Sequence, residues 1–261
     1  MNNNPIAVFD SGLGGLSVWS ELRRGLPHES LIYYGDGKNC PYGGRDEEQI
    51  RSFVDEAVRF TIAQGAKMVV LACNTATAAA IDYLRATYPI PFVGLEPAVK
   101  PAALGTKSGT IAILATATSL EGRLFRQTSA RYASQANILS AVGEGFVQIV
   151  ESSQENSPEA EQTVRRIVEP LLESGADHLV LGCTHYPFLK KALEKAIGER
   201  DVVLVNPSRA IEKRVESLLQ QHDIAADNDH TPQYSFFTAA DQDYLQKIIA
   251  KSQEALTLFN I

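Results

Sequence analysis

The chain has 261 residues, of which 44% are hydrophobic and 21% are charged, so its composition is that of a globular protein with one large or two small domains. Its 24 Lys and Arg against 31 Asp and Glu give a net charge of -7, which argues against nucleic acid as a partner because phosphate binding needs a basic surface. The longest apolar run, 68–73, is far shorter than the roughly 18 residues of a membrane span. The first ten residues lack the basic and apolar regions of a secretory signal. We therefore expect a cytoplasmic protein without a membrane partner.

Short apolar runs alternate with amphipathic stretches along the chain. In chain order, the predicted elements are strands at 6–9 (IAVF) and 31–36 (LIYYGD), a helix at 46–64, strands at 68–72 (MVVLA), 92–95 (FVGL) and 111–114 (IAIL), a helix at 157–173, strands at 178–182 (HLVLG) and 202–205 (VVLV), a helix at 210–221, a loop at 223–231 and a strand at 234–237. Fully apolar strands that alternate with helices are typical of parallel sheets covered on both faces. The sequence therefore predicts an α/β fold.

The chain also contains a weak internal repeat. GAKMVVLACN at 65–74 is matched by GADHLVLGCT at 175–184, VGLEP at 93–97 by VLVNP at 203–207, and IAVFDS at 6–11 by IAILAT at 111–116. We therefore predict two pseudo-symmetric lobes, each a parallel-rich sheet flanked by helices, with the active site in the cleft between them, because ligands bind beyond the carboxyl ends of parallel strands. Since the tail has no counterpart in the first copy, we expect residues 1–97 with 208–261 to form one lobe and 98–207 the other.

The first predicted strand ends in FDSGLGGL at 9–16. Its glycines permit a tight turn whose N–H groups can meet an anion. The dinucleotide fingerprint requires a further glycine where Ser17 stands, so no dinucleotide cofactor is predicted. Asp10 directly follows a buried strand, where a carboxylate either caps the next helix or takes part in chemistry.

Two of the three cysteines also follow predicted strands. Cys73 stands in LACNTAT and Cys183 in LGCTHYP, at equivalent positions of the repeat, whereas Cys40 has no matching partner and is treated as a bystander. A helix after Cys73 would favour its thiolate, and His185 can exchange a proton with a nearby thiol. Packing for the thiols and a structural role for the histidine are the alternatives. Three cysteines without a short-spaced pair predict neither a disulfide framework nor a zinc site, so no metal is expected.

The two thiols have different neighbours. The first copy of the repeat offers Asp10 where the second has Ala115, and the second offers His185 where the first has Thr75. Such a pair suits a reaction that removes a proton from one face of a carbon and returns it on the other, which is racemisation or epimerisation. A Cys/His hydrolase needs a single nucleophile and leaves the second thiol unexplained, and a two-lobed binder of a small acid needs neither thiol.

Other polar residues allow two interpretations each. Asn74 and Thr75 would cap the helix after Cys73 or hold a polar ligand. Tyr42, in the loop NCPYGG, contacts a ligand or belongs to a plain turn. Glu151 is either a cleft carboxylate or a solvated helix end, and the sequence favours the latter.

Five motifs carry a resemblance to a known family. In this order, FDSGLGGL at 9–16, CPYG at 40–43, LACNTAT at 71–77, VGLEPA at 93–98 and LGCTHYP at 181–187 resemble the motifs of glutamate racemases, the cofactor-independent members of the aspartate/glutamate racemase family that supply D-glutamate to peptidoglycan. The resemblance extends from about residue 6 to residue 207. DGKN at 36–39 and Asn206-Pro207 depart from the family pattern.

The resemblance implies an isomerase that interconverts L- and D-glutamate for cell-wall synthesis, without a cofactor and as a homodimer. It implies that Cys73 acts on D-glutamate and Cys183 on L-glutamate, with Asp10 near the first thiol and His185 near the second. The implied substrate contacts are Ser11, Tyr42, Gly43, Asn74, Thr75 and Thr184, with Glu151 as a further cleft residue. A racemase of aspartate or another acidic amino acid would share this chemistry.

Overall fold

The computed structural model of the chain describes residues 1–258 and consists of parallel strands alternating with helices. The strands are β1 (Ile6–Asp10), β2 (Leu31–Gly35), β3 (Met68–Leu71), β4 (Phe92–Gly94), β5 (Thr110–Ala115), β6 (Asn137–Val142), β7 (His178–Gly182), β8 (Val203–Val205) and β9 (Tyr234–Thr238). The helices are α1 (Leu16–Gly25), α2 (Glu47–Ala63), α3 (Asn74–Thr87), α4 (Val99–Gly105), α5 (Ala117–Glu121), α6 (Arg123–Tyr132), α7 (Phe146–Glu151), α8 (Pro158–Glu173), α9 (Lys190–Ile197), α10 (Ser208–Gln221) and α11 (Gln242–Leu258), with a 3-10 helix at Tyr186–Leu189. The predicted α/β class is confirmed.

Met1–Leu95 and the segment that begins at Ser208 form one compact unit. Its sheet has the strand order β4-β3-β1-β2-β9, and every neighbouring pair is parallel. Phe9 and Leu71 are buried in a core cluster with residues of α2 and α3. The tail strand β9 forms one edge of this sheet, where the ring of Trp19 from α1 packs against Phe236.

Glu96–Pro207 forms the other compact unit. Its sheet has the order β6-β5-β7-β8, again with parallel pairs throughout. Ile113 and Val180 are buried in a core cluster with Ala102 of α4 and Tyr132 of α6. Residues 111–115 of β5 are all buried, which explains why this part of the strand is uniformly apolar.

The two sheets share one strand order, which agrees with the repeat in the sequence. If β1, β2, β3 and β4 are matched with β5, β6, β7 and β8, the first sheet runs 4-3-1-2 and the second runs 8-7-5-6. The strand β9 has no counterpart in the second sheet. Each unit is therefore one copy of the same β/α pattern, and the first unit carries an additional edge strand.

Helix starts follow the capping chemistry of the sequence. The Asp46 side chain accepts a hydrogen bond from the N–H of Glu48 at the start of α2, and Ser157 accepts one from Ala160 at the start of α8. These caps fix the beginnings of two helices that the sequence predicts at 46–64 and 157–173. Within residues 1–258, none of the helices combines the length and apolarity that crossing a bilayer requires.

Candidate active site

The carboxyl ends of β1, β2 and β3 lie side by side in the first unit because β1 pairs in register with both neighbours. Residues at these ends are therefore brought together: Asp10 and Ser11 at β1, Asp36 after β2 and Cys73 after β3. All four are less than a tenth exposed. A cluster of buried polar groups is costly unless its members bond to one another or act on a ligand, which marks this edge as a candidate site.

Asp10 is fully buried and is held by the glycine turn that follows it. The N–H of Gly12 donates to Asp10 Oδ1 at 2.8 Å, and the hydroxyl of Tyr33 donates to the carbonyl oxygen of Gly12 at 2.7 Å. The N-cap of α1 is Gly15, so Asp10 does not cap this helix. A Cβ at Gly15 would lie 2.5 Å from the Asp10 Cβ, so the turn requires glycine to approach the carboxylate this closely.

Cys73 is itself the N-cap of α3, in place of the Asn74 or Thr75 suggested by the sequence. The N–H of Ala76 donates to the Cys73 Sγ at 3.5 Å, and the Ser11 Oγ lies 3.5 Å from the same sulfur. Asn74 and Thr75 form the first turn of the helix and are less than a tenth exposed. The positive end of the helix dipole, together with these donors, favours the thiolate form of Cys73.

Tyr42 belongs to the loop after β2 and is 1% exposed. Its hydroxyl donates to Asp36 Oδ2 at 2.6 Å. Burial first, and then the charges of Asp36, Cys73 and Asp10, raise the pKa of Tyr42 well above its ordinary value of 10, so the phenol stays neutral. The next residue, Gly43, has open space around it, since a Cβ there would meet nothing within 4 Å.

The carboxyl end of β7 carries the thiol of the second unit. Cys183, Thr184 and His185 follow one another directly, and none is more than 9% exposed. The Cys183 Sγ lies 3.8 Å from His185 Nδ1, and His185 Nε2 lies 2.6 Å from Glu151 Oε1 at the end of α7. Glu151 is thus a partner of the imidazole rather than only the solvated helix end that the sequence favoured.

The pKa of His185 lies well above its ordinary value of 6.5, and it is the net result of two opposing effects. Burial lowers this pKa, but hydrogen bonds and charge interactions with Cys183 and Glu151 outweigh the burial. With the carboxylate on Nε2, the imidazole can hold a second proton on the nitrogen that faces the sulfur. In this arrangement the imidazole can exchange a proton with the neighbouring sulfur.

Sequence reasoning missed two residues that flank these groups. Asp36 could have been found by the signal that marks Asp10, because it is also a carboxylate directly after a buried strand. Tyr186 is fully buried, and its ring packs at 5.0 Å against Phe146. Burial and the charge of Cys183 raise the pKa of Tyr186. A single tyrosine in LGCTHYP gives no sequence signal that it lies beside the thiol.

Comparison with known proteins gives the family of the chain. The sequence profile of the Asp/Glu/Hydantoin racemase family matches residues 16–214. The glutamate racemase of Herpetosiphon aurantiacus is 40% identical over 248 residues, which cover 95% of this chain and 97% of the relative. The crystal structure of a glutamate racemase isoform from Bacillus anthracis matches with a TM-score of 0.87 and 33% identity, covering 97% of this chain and 95% of that one. The Escherichia coli glutamate racemase, in complex with L-glutamate and the activator UDP-MurNAc-ala, matches with a TM-score of 0.85 and 30% identity, with the same coverage.

The chain consists of two α/β units with parallel sheets, each with a buried thiol at the carboxyl edge of its sheet. The chain belongs to the aspartate/glutamate racemase family. It is therefore an isomerase, an amino-acid racemase, and the family resemblance of its motifs is confirmed.

Proposed function

We propose that the chain is a glutamate racemase that interconverts L- and D-glutamate by acid/base catalysis with two thiols and no cofactor. The observation that carries this proposal is the pair of buried thiols, each in contact with a polar group: the start of α3 for Cys73 and the imidazole of His185 for Cys183. The E. coli relative bound to L-glutamate supports glutamate as the substrate.

The proposed reaction begins with a thiolate at Cys73 and a thiol at Cys183. The Cys73 thiolate takes the Cα proton of D-glutamate, the electron pair left on Cα spreads into the adjacent carboxylate, and Cys183 gives its proton to the opposite face of the carbon. L-glutamate leaves with the protonation states of the two sulfurs exchanged, and the reverse direction uses the same steps. Asp10 assists on the side of Cys73 and His185 on the side of Cys183, where Glu151 orients the imidazole.

The Cα–H of an amino acid is a weak acid, so the proposed site must stabilise negative charge on the substrate. Amide and hydroxyl donors close to the developing charge do this. The hydroxyl and amide groups of Ser11, Asn74, Thr75 and Thr184 are the proposed donors beside the thiols. Tyr42 and Gly43 complete the proposed substrate contacts and contribute to binding.

The substrate is tested with the purified protein and no added cofactor. Circular dichroism should follow L-glutamate, and separately D-glutamate, to the racemic mixture. L-aspartate, the substrate of the alternative racemase, should turn over far more slowly. Faster turnover of aspartate would contradict glutamate as the substrate, and a rate lost to EDTA or a hydroxylamine wash and restored by a metal or pyridoxal phosphate would contradict cofactor independence.

We further propose that the enzyme is a cytoplasmic homodimer whose D-glutamate enters peptidoglycan. Expression of the chain should rescue a bacterial strain that depends on external D-glutamate, whereas a Cys73→Ser variant should not. Light scattering of the purified protein should give twice the mass of the chain. A monomer mass at working concentration would contradict the dimer without affecting the proposed reaction.

A further inference from the structure

The carboxylate of Asp36 is the centre of a buried hydrogen-bond cluster at the end of β2. It is 3% exposed and accepts the hydroxyl proton of Tyr42 at 2.6 Å. The side-chain amide of Asn39 donates to both of its oxygens, at 3.1 and 3.0 Å. Its own backbone N–H donates to the carbonyl oxygen of Asp10 at 3.0 Å. One residue therefore joins the glycine turn of Asp10 to the loop that carries Tyr42.

This cluster fixes where residues 42–43 lie relative to the first thiol. The ring of Tyr42 packs at 6.3 Å from Phe9 and 6.0 Å from Phe53, so it has little freedom to turn. With its hydroxyl proton committed to Asp36, Tyr42 does not offer that proton to a ligand. Charge-assisted hydrogen bonds to a carboxylate are the strong ones, and this one anchors a loop whose next residue, Gly43, is open on its outer side.

The segment DGKN at 36–39, which departs from the family pattern, forms part of this cluster. Asn39 ends that segment, and its amide satisfies the acceptor capacity that Tyr42 leaves on the carboxylate. Its backbone N–H also donates to the Asp36 carbonyl oxygen at 3.1 Å, which closes the turn. Residues 36–39 thus form a turn that is closed by hydrogen bonds from Asn39 to both the side chain and the carbonyl oxygen of Asp36.

We propose that Asp36 is a positioning residue of the racemase: through Tyr42 and Asn39 it holds residues 42–43 where they meet the substrate, without touching the substrate itself. The inference rests on the proposed function. Because the loop would contact the substrate equally before and during proton transfer, loss of Asp36 should weaken binding and leave the chemical step nearly unchanged.

The first experiment measures kcat and KM for both enantiomers in Asp36→Asn, Tyr42→Phe and the double variant. Loss of a hydrogen bond to a charged group corresponds to roughly a tenfold rise in KM, with kcat within about threefold of wild type. Because both single changes remove the charge-assisted character of the bond between residues 36 and 42, the double variant should be no worse than the more impaired single one. The double change Asp36→Asn with Asn39→Asp restores a carboxylate to the cluster. Its KM should therefore lie between that of Asp36→Asn and that of the wild type. The matched control is Lys38→Ala, an exposed residue of the same turn.

The second experiment measures amide hydrogen exchange in peptides that cover residues 38–45. Exchange should increase in Asp36→Asn and stay at the wild-type rate in Lys38→Ala. This readout needs no turnover, so it tests the loop even if wild-type protein failed to racemise glutamate, a result that would contradict only the proposed function.

Three results would overturn the positioning role. They are a KM within twofold of wild type in Asp36→Asn, a fall in kcat at constant KM, and a lower melting temperature with neither KM nor loop exchange altered. If Asp36→Asn does not fold, Tyr42→Phe decides, because an unchanged KM and unchanged loop exchange in that variant would contradict the role equally.

Discussion

His185 connects a thiol and a carboxylate, whereas the first thiol has a helix start and a hydroxyl as its neighbours. The two thiols therefore have different surroundings. They stand at equivalent positions of the repeat, and the residues around them differ. The assignment of Asp10 to Cys73 and of His185 to Cys183 leads to a kinetic test.

Asp10→Asn and His185→Asn should affect the two directions of the reaction unequally, because each group would assist its own thiol. The equilibrium constant between enantiomers is one, so kcat/KM must fall equally in both directions. The asymmetry must therefore appear in kcat and KM separately, measured from each enantiomer. Identical changes of both parameters in both directions would contradict side-specific roles.

Glu151→Gln should lower the pKa of His185 toward 6.5, since the variant removes the negative charge beside Nε2 and keeps the side-chain volume. NMR titration of the imidazole signals measures this pKa directly. Glu144→Gln, a change in the exposed turn before α7, is the matched control. An unchanged pKa in the Glu151 variant would show that the carboxylate does not set the charge of the imidazole.

At the scale of elements, equivalent charged residues precede the third strand of each sheet. Lys67 precedes β3, and its Nζ bonds to the carbonyl oxygen of Asn2 and to Glu29. Asp177 precedes β7 and accepts hydrogen bonds from the backbone N–H groups of Lys107 and Ser108. In both units, a buried or half-buried charge thus forms hydrogen bonds with the segment that precedes the first strand, β1 or β5.

Asp177 should make stability depend on pH. Burial raises the pKa of this carboxyl, but hydrogen bonds from Thr106, Ser108, His178 and Lys107 outweigh it and hold the pKa well below the ordinary value of 3.8. A lowered folded-state pKa contributes stability that is complete above about pH 4 and is lost as the pH falls through the folded value. Asp177→Asn should therefore be less stable by about 1–3 kcal/mol at neutral pH, with a difference that shrinks below about pH 4, in urea unfolding series. A difference independent of pH would contradict the ionised role.

The cap of α3 gives a second test at this scale. Cys73→Ala should lower the free energy of unfolding by about 1 kcal/mol, because the N–H of Ala76 loses its acceptor, whereas Cys73→Ser should keep the cap. Cys183→Ala is the control for loss of a buried sulfur that caps no helix. If Cys73→Ala and Cys73→Ser unfold at the same urea concentration, the sulfur does not stabilise the helix.

Most of the strands that the sequence predicts correctly are buried along almost their whole length, although β8 and β9, which are partly exposed, are predicted as well. IAVF, MVVLA and HLVLG read as strands because both faces of each are covered. β6 was not predicted, since NILSAV is half exposed at a sheet edge and mixes polar with apolar residues. The repeat contained a signal for it, because β6 begins 106 residues after β2, close to the offset between β1 and β5.

The predicted site residues divide in a similar way. Cys73, Cys183 and Asp10 could be predicted because they follow apolar strands at the edge where parallel sheets bind ligands. The link from Glu151 to His185 could not, since it joins the end of a helix to a loop 34 residues away and depends on how α7 packs against the 3-10 helix. Asp36 was overlooked although the rule applied to Asp10 covers it.

At the scale of the whole molecule, one β/α pattern occurs twice, with the same strand order in both copies. The equivalent strands β3 and β7 each lead to a cysteine, Cys73 and Cys183, 110 residues apart. A duplicated fold therefore places one cysteine after the equivalent strand of each unit. In the proposed reaction both sulfurs are required, and each serves one enantiomer.

Racemisation by Cys73→Ser and by Cys183→Ser tests the first part of this claim. A serine hydroxyl is a far weaker acid than a thiol of pKa about 8.5, so each variant should lose at least about 100-fold in racemisation rate.

Exchange of the Cα proton with solvent is the most direct test, because it needs one thiolate and not two. Proton NMR in D2O follows the Cα signal of each enantiomer with each variant. We expect Cys183→Ser, which retains Cys73, to exchange the Cα proton of D-glutamate faster than that of L-glutamate, and Cys73→Ser to show the reverse preference. Near wild-type racemisation by either variant would contradict the two-thiol mechanism, and exchange of the opposite enantiomer by each would contradict the assignment of the faces.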